Sequence, residues 1–171
     1  MNKLIIMLLF LSFFIFSKDS LERYYIKEFD FGKMLGTWYE IARKETMFEN
    51  HLDYAKTKYI LKDNGEVDII TTGFSTVKNR NIIIKGTGRK KYNEADNIFE
   101  AKFFALGYSD FIIIDYDRKD YKYMVIRGKN SDYFWILSRT SNLDESIVKK
   151  LIRLGEADGI DMKKLIRVKQ D

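Results

Sequence analysis

The chain has 171 residues, 46% of them hydrophobic and 15% aromatic, with a formal net charge of +5, one histidine and no cysteine. That length supports one domain with a substantial core and is short for two, while the missing cysteines exclude disulfides, thiol nucleophiles and thiolate metal sites. The basic residues are scattered, without the clustered basic face and interleaved aromatics of a nucleic-acid binder, so no nucleic acid is expected as partner, whereas peripheral contact with an anionic membrane is compatible with the charge.

Residues 1–17 separate themselves from the rest of the chain. Met1-Asn2-Lys3 is a short positive start, and residues 4–16 form an uncharged apolar run. Together they read as a secretory signal peptide. As a helix the run spans about 20 Å at about 1.5 Å per residue, short of the roughly 30 Å hydrocarbon core. Cleavage after Ser17 and retention as an N-terminal anchor both stay open. The mature chain, residues 18–171, is expected to be one domain, secreted or periplasmic. Residues 18–27 are expected to be mobile. Asp30 then reads as a helix N-cap before apolar residues, predicting one short turn over 29–35, with Phe29 or Leu35 as a plug for one end of the domain.

Gly36-Thr37-Trp38-Tyr39-Glu40-Ile41-Ala42-Arg43 joins a glycine turn to a β-prone run. Strand alternation places Trp38, Glu40 and Ala42 on one face, with Tyr39 and Ile41 on the other. Both faces are partly apolar, which predicts a cover over the outer one. From here to Arg139 the pattern is a meander of strands near residues 37–44, 54–62, 66–74, 81–90, 97–106, 110–116, 121–128 and 132–139. Asp63-Asn64-Gly65 is the strongest hairpin signal, because Asn and Gly tolerate left-handed backbone angles. Residues 47–53 form the longest early loop. In the fifth strand Glu100 and Lys102 belong outside, which turns Phe99, Ala101 and Phe103 inward. Trp135 and Leu137 share a face with Arg139. Asn142 and Glu145 form a capping-box pattern, and Leu143, Ile147, Leu151 and Leu154 recur at helical spacing up to Gly155, which predicts an amphipathic helix over 143–154. Residues 164–170 read as a last strand beside the first.

Two distant stretches carry a family resemblance. The Gly36 to Arg43 run resembles the first signature of the lipocalins, and Trp135-Ile136-Leu137-Ser138-Arg139-Thr140 resembles their last-strand signature, followed by a helix. Between them, residues 59–67 are similar to the second strand, turn and third strand, and residues 120–125 to the middle signature. The likeness covers about Phe29 to Gln170, and is nearest in flavour to bacterial outer-membrane lipocalins and apolipoprotein D. The chain departs from that pattern in having no lipid-attachment cysteine, no prolines near strand ends, and Thr46 where such relatives often carry histidine.

The resemblance implies an all-β fold: an eight-stranded antiparallel up-and-down barrel with a C-terminal helix packed outside. Periodicity alone does not separate a filled core from a cavity; the family implies a cavity that binds, stores or carries a small hydrophobic ligand, most simply a fatty acid or lysophospholipid. Family pattern and strand parity together give Tyr59, Thr71, Phe103, Trp135 and Leu137 as ligand-binding candidates, and Gly36, Trp38 and Arg139 as a structural signature with Arg139 stacked on Trp38. Residues 47–53 would be the lid beside the open mouth. The expected state is a monomer or weak homodimer. No cofactor and no metal are expected. His51, flanked by Glu49 and Asp53, reads as a solvated loop residue rather than a base, and no nucleophile elbow or phosphate loop is present. A binding protein is therefore expected rather than an enzyme; a lipid- or isoprenoid-modifying enzyme on the same barrel is the alternative, for which Glu40 would be the carboxylate to watch.

Overall fold

The computed structural model describes residues 21–46, 49–91, 93–129 and 133–171. Residues 1–17, with the expected signal peptide, lie outside them. Among the described residues nine strands form one sheet: β1 (Gly36–Lys44), β2 (Leu52–Leu61), β3 (Val67–Ser75), β4 (Arg80–Lys90), β5 (Ile98–Phe103), β6 (Ser109–Tyr116), β7 (Tyr123–Gly128), β8 (Phe134–Ser138) and β9 (Leu165–Arg167). The first eight pair antiparallel in sequence order, and β1 pairs with both β8 and β2, which closes them into a barrel. Closure removes free sheet edges over the paired segments. The β2–β3 connection is the tight turn expected at Asn64-Gly65: Gly65 has φ 81° and Lys62 N–H donates to Glu66 O at 2.8 Å.

β9 explains how the wall survives where β2 leaves β1. β2 is registered against Gly36 to Tyr39, and beyond it β9 pairs with Ala42, Arg43 and Lys44. Gln170 Nε2 then donates to Glu40 O and Ala55 O, both at 2.8 Å, bridging the two strands across the gap.

The α-helices are α1 (Phe31–Met34) and α2 (Glu145–Ala157). Asp30 caps α1 through its carboxylate, which accepts from Gly32 N–H at 2.8 Å. For α2 the cap is Asp144, accepting from Ser146 N–H at 2.8 Å, so the helix starts later than the Asn142 capping box predicts. Gly155 does not end α2. It lies inside the helix, where a Cβ would sit 2.9 Å from the Phe134 ring, so its missing side chain lets the helix approach β8. The buried stripe is Val148, Leu151 and Gly155, and its apolar members lie with Ile41, Ala42, Val125, Phe134 and Ile136 on the outer face of β1, β7 and β8. This is the cover that the two-sided apolar strands require.

Residues 21–27 are hydrogen-bonded to the barrel. Asn97, fully buried, donates to Tyr24 O and Ile113 O and accepts from Ile26 N–H. Arg127 donates to the Tyr24 hydroxyl at 2.7 Å and pairs with Asp158 at the end of α2, so one buried guanidinium clasps the N-terminal segment, the barrel and the helix.

Candidate ligand-binding cavity

The barrel has a sealed end and an open end. At the sealed end Phe29 packs edge-on against Tyr116, with ring centroids 5.2 Å apart, and the Tyr121 hydroxyl accepts from Asp30 N–H at 2.9 Å. Phe29, not the half-buried Leu35, fills the floor. Trp38 is fully buried, its indole N–H donating to Met34 O at 2.7 Å. The Arg139 guanidinium lies 3.7 Å from the indole ring centroid and donates to Thr37 O, Lys33 O and Leu35 O. Gly36 fits beneath it: φ is 93°, and a Cβ there would come within 3.3 Å of Arg139 Nη1. Three carbonyls, from α1, the turn after it and the start of β1, thereby accept from one side chain.

Above this floor lies a cavity of about 410 Å³ of unoccupied space, counting the part open to solvent. Tyr59, Thr71, Phe103, Trp135 and Leu137 all line it, so the structure brings the five candidates together in one site. The site has two unlike walls. From β5 to β8 come Phe99, Ala101, Phe103, Phe111, Ile126, Trp135 and Leu137; from β1 to β3 come Glu40, Thr57, Tyr59, Ile69 and Thr71. The first wall is a run of aromatic contacts, with Trp135 stacked on Tyr133 at 5.8 Å and 5° and tilted against Phe111 at 6.0 Å. The space continues to the open end as a region of about 500 Å³, open solvent included, beside Thr46, Glu49, Ile84, Leu106, Gly107 and Tyr133. Of the expected lid, residues 47–53, Met47 and Phe48 lie outside the described residues, Glu49 is buried and His51 is exposed.

The polar wall centres on groups that the sequence pattern does not reveal. Strand alternation puts Ala42 inside; instead β1 bulges between Glu40 and Ala42, so Ile41 and Ala42 both join the outer cluster. One extra residue in the strand reverses the parity beyond it, and Arg43 becomes the fully buried neighbour of Glu40. Arg43 Nη1 donates to Glu40 Oε2 at 3.1 Å, and Nη2 donates to Glu49 O at 2.6 Å and Leu52 O at 3.0 Å. Its Nε–H has no partner among the described residues. Glu40 Oε1 accepts from Thr57 at 3.3 Å, and Thr57 shares a 2.7 Å hydrogen bond with Thr71. Glu49 Oε2 accepts from the Trp135 indole N–H at 3.0 Å and from Thr46 at 3.4 Å.

Two carboxylates and one guanidinium inside a barrel cannot all be charged without a net buried charge. Burial, and then the neighbouring Glu49, push the Glu40 carboxyl up to about 8, and burial likewise raises Glu49. Both directions have the same cause: removing an ion from water costs several kcal/mol, and one guanidinium offsets only one of two. Tyr59 is raised as well, first by burial and then by the two carboxylates. No sequence signal marks Glu49, a loop residue folded inward, or Arg43, whose direction depends on the bulge. Among the described residues no group of three His, Cys, Asp or Glu is placed to hold a metal ion.

The lipocalin-like domain model matches residues 29–170. The chain is 31% identical over 147 residues to the outer membrane lipoprotein Blc of Escherichia coli (strain K12), covering 85% of this chain and 81% of that one. It is 29% identical over 145 residues to the outer membrane lipoprotein Blc of Vibrio cholerae serotype O1, covering 85% of each. Apolipoprotein D of Macaca fascicularis is 27% identical over 158 residues, covering 85% and 79%. Lobster apocrustacyanin A1 shares the fold at 18% identity with a TM-score of 0.65, covering 82% of this chain and 79% of its own.

Proposed function

This chain belongs to the lipocalin family, whose barrels bind and carry small hydrophobic molecules, and from that premise we propose that it binds one monoacyl lipid, a fatty acid or a lysophospholipid, in the cavity above Trp38. The observation that carries the reading is the aromatic and aliphatic wall of Phe99, Phe103, Phe111, Trp135 and Leu137 facing a space that continues to the open end. The acyl tail lies against that wall and the head points to the mouth beside Glu49. At about 0.8 kcal/mol per buried CH₂, a ten-carbon tail gains about 8 kcal/mol before the costs of association, which supports micromolar affinity without a specific head contact. The protein acts by binding rather than by catalysis, a reading supported by its lipocalin family. Residues 1–17 direct export, and the place of action is the cell envelope, in keeping with relatives named as outer membrane lipoproteins.

Calorimetric titration with lysophosphatidylcholine and with fatty acids tests this, alongside quenching of tryptophan fluorescence. Saturable binding with one site per chain is expected, with the quenching signal lost in Trp135→Phe and the heat lost in Leu137→Glu. A Leu137→Glu protein that folds normally and binds as tightly as wild type would refute the pocket.

A further inference from the structure

Residues 69–93 hold six lysines and arginines and no aspartate or glutamate, and the fold divides those cations into two groups. At the far end of β4, Arg89, Lys90 and Lys91 pair with Glu100, Asp96 and Asp110, each at 2.8 Å. The β3–β4 turn lies at the opposite end of the strand, at the open end of the barrel. There Lys78, Arg80 and Lys85 form no ion pair among the described residues, and neither does Lys102 beside them on β5. Asp68, the carboxylate that borders this group, lies 3.5 Å from Lys62.

The same place holds the four most exposed large hydrophobic side chains among the described residues. They are Val77 (72%) in that turn, Ile83 (64%) on the outer face of β4, and Phe104 (61%) and Leu106 (55%) in the β5–β6 connection. Ile83 and Phe104 share a shallow depression with Lys78 and Arg80, and Phe104 borders a second one with Lys85 and Lys102. Strand parity accounts for Ile83, because its neighbours Ile82 and Ile84 pack inward. Phe104 needs more. It takes φ 56°, an angle that strains the backbone of a bulky residue, and stands outward directly after Phe103 has turned into the cavity. Leu106 also borders the mouth of the cavity.

We propose that this face docks the open end of the barrel on an anionic phospholipid bilayer, with Val77, Phe104 and Leu106 entering the interface and the four cations meeting the phosphates. Contiguous exposed apolar groups with a polar rim mark a contact surface, and the sign of the rim decides between partners. Charge of one sign complements an anionic leaflet, where each basic residue near the surface is worth about five-fold in binding. A protein interface favours tyrosine, tryptophan and arginine and is depleted in lysine, whereas three of these four cations are lysine. The inference goes beyond the lipid-pocket reading and does not depend on it, although docking in this pose turns the cavity mouth beside Leu106 toward the lipid surface.

Cosedimentation of the purified protein with vesicles tests this, comparing pure phosphatidylcholine with phosphatidylcholine containing about 30 mol% phosphatidylglycerol. The anionic vesicles are expected to bind at least ten-fold more tightly, and the difference should shrink as salt rises from about 0.05 to about 0.5 M, because screening shortens the reach of exposed charges. Lys78→Glu with Arg80→Glu should abolish the preference. Lys149→Glu with Lys150→Glu, the same charge change on the exposed side of α2, should leave binding within about two-fold of wild type. Val77→Ser with Phe104→Asn should weaken binding at least ten-fold without lowering the melting temperature, since asparagine tolerates the left-handed angle. Equal affinity for the two kinds of vesicle, or equal losses from the two charge reversals, overturns the docking face and leaves the lipid pocket standing. Light scattering that shows a dimer broken by Val77→Ser with Phe104→Asn, without vesicle binding, assigns the face to a second copy of the chain and overturns the proposal as well.

Discussion

The sealed end and the middle of the barrel treat buried polar groups in opposite ways. At the sealed end each one is closed off by a neighbour: Arg139 takes three backbone carbonyls and the face of Trp38, Trp38 donates to Met34 O, and the Tyr121 hydroxyl accepts from Asp30 N–H. Halfway up, satisfaction stops short. Among the described residues Arg43 Nε is the one buried side-chain polar atom without a partner, while Glu49 Oε1 and the Tyr59 hydroxyl, on residues that line the cavity, take no hydrogen bond from the protein. A satisfied network rigidifies a fold, whereas an incomplete one is costly unless something else completes it. The contrast gives the floor a structural role and supports the ligand site proposed for the middle of the barrel.

Removing the cation from the incomplete centre should have the largest effect. Arg43→Ala removes the one guanidinium beside the buried Glu40 and Glu49 carboxyls and is expected to cost about 3–5 kcal/mol in urea unfolding; a loss below about 1 kcal/mol would show that water reaches the cluster freely. Leu151→Ala, on the outer wall away from both ends, should cost about 2–5 kcal/mol by opening a cavity under α2, with lipid affinity unchanged. A loss of lipid binding in that folded variant would place the ligand outside the barrel. Arg139→Ala should cost about 0.5–2 kcal/mol through the lost cation–π contact and should also leave binding alone. An unchanged melting temperature would remove the sealed end's claim to a structural role.

A pH dependence comes from the same centre. Glu40 ordinarily ionises near 4.5 and is held up to about 8 in the fold, first by burial and then by Glu49. The folded state therefore keeps a proton that the unfolded chain releases, so its stabilising contribution is full below about 4.5 and is lost as pH rises through about 8. Thermal melts between pH 5 and pH 9 should show declining stability for wild type and a flatter profile for Glu40→Gln. Identical profiles would mean that Glu40 is ionised throughout.

The barrel, its closing helix and the sealed end are legible in the sequence because short-range signals agree with one another. Asn64-Gly65 marks a turn, Glu100 and Lys102 fix the face of β5, and Leu151 lies on a 3.6-residue stripe. The apolar wall is legible for the same reason, since Phe103, Trp135 and Leu137 follow simple strand parity. Local pattern fails where tertiary structure overrides it. β5 ends at Phe103, three residues before its expected end, where Phe104 takes φ 56°. The bulge in β1 carries Ala42 outward and leaves Arg43 beside Glu40, and nothing in Ile41-Ala42-Arg43 announces an extra residue. Glu49 resembles any acidic loop residue until the chain folds it against Trp135. The half of the cavity that confers polarity is therefore the half that alternation cannot see.

Whether the space above Trp38 holds one lipid is tested most directly by native mass spectrometry of protein purified from its source, followed by lipid extraction. A single added mass matching one monoacyl lipid per chain, absent from Leu137→Glu prepared in parallel, is the predicted result. A lipid retained equally by the Leu137→Glu protein, or several lipids per chain, would contradict it.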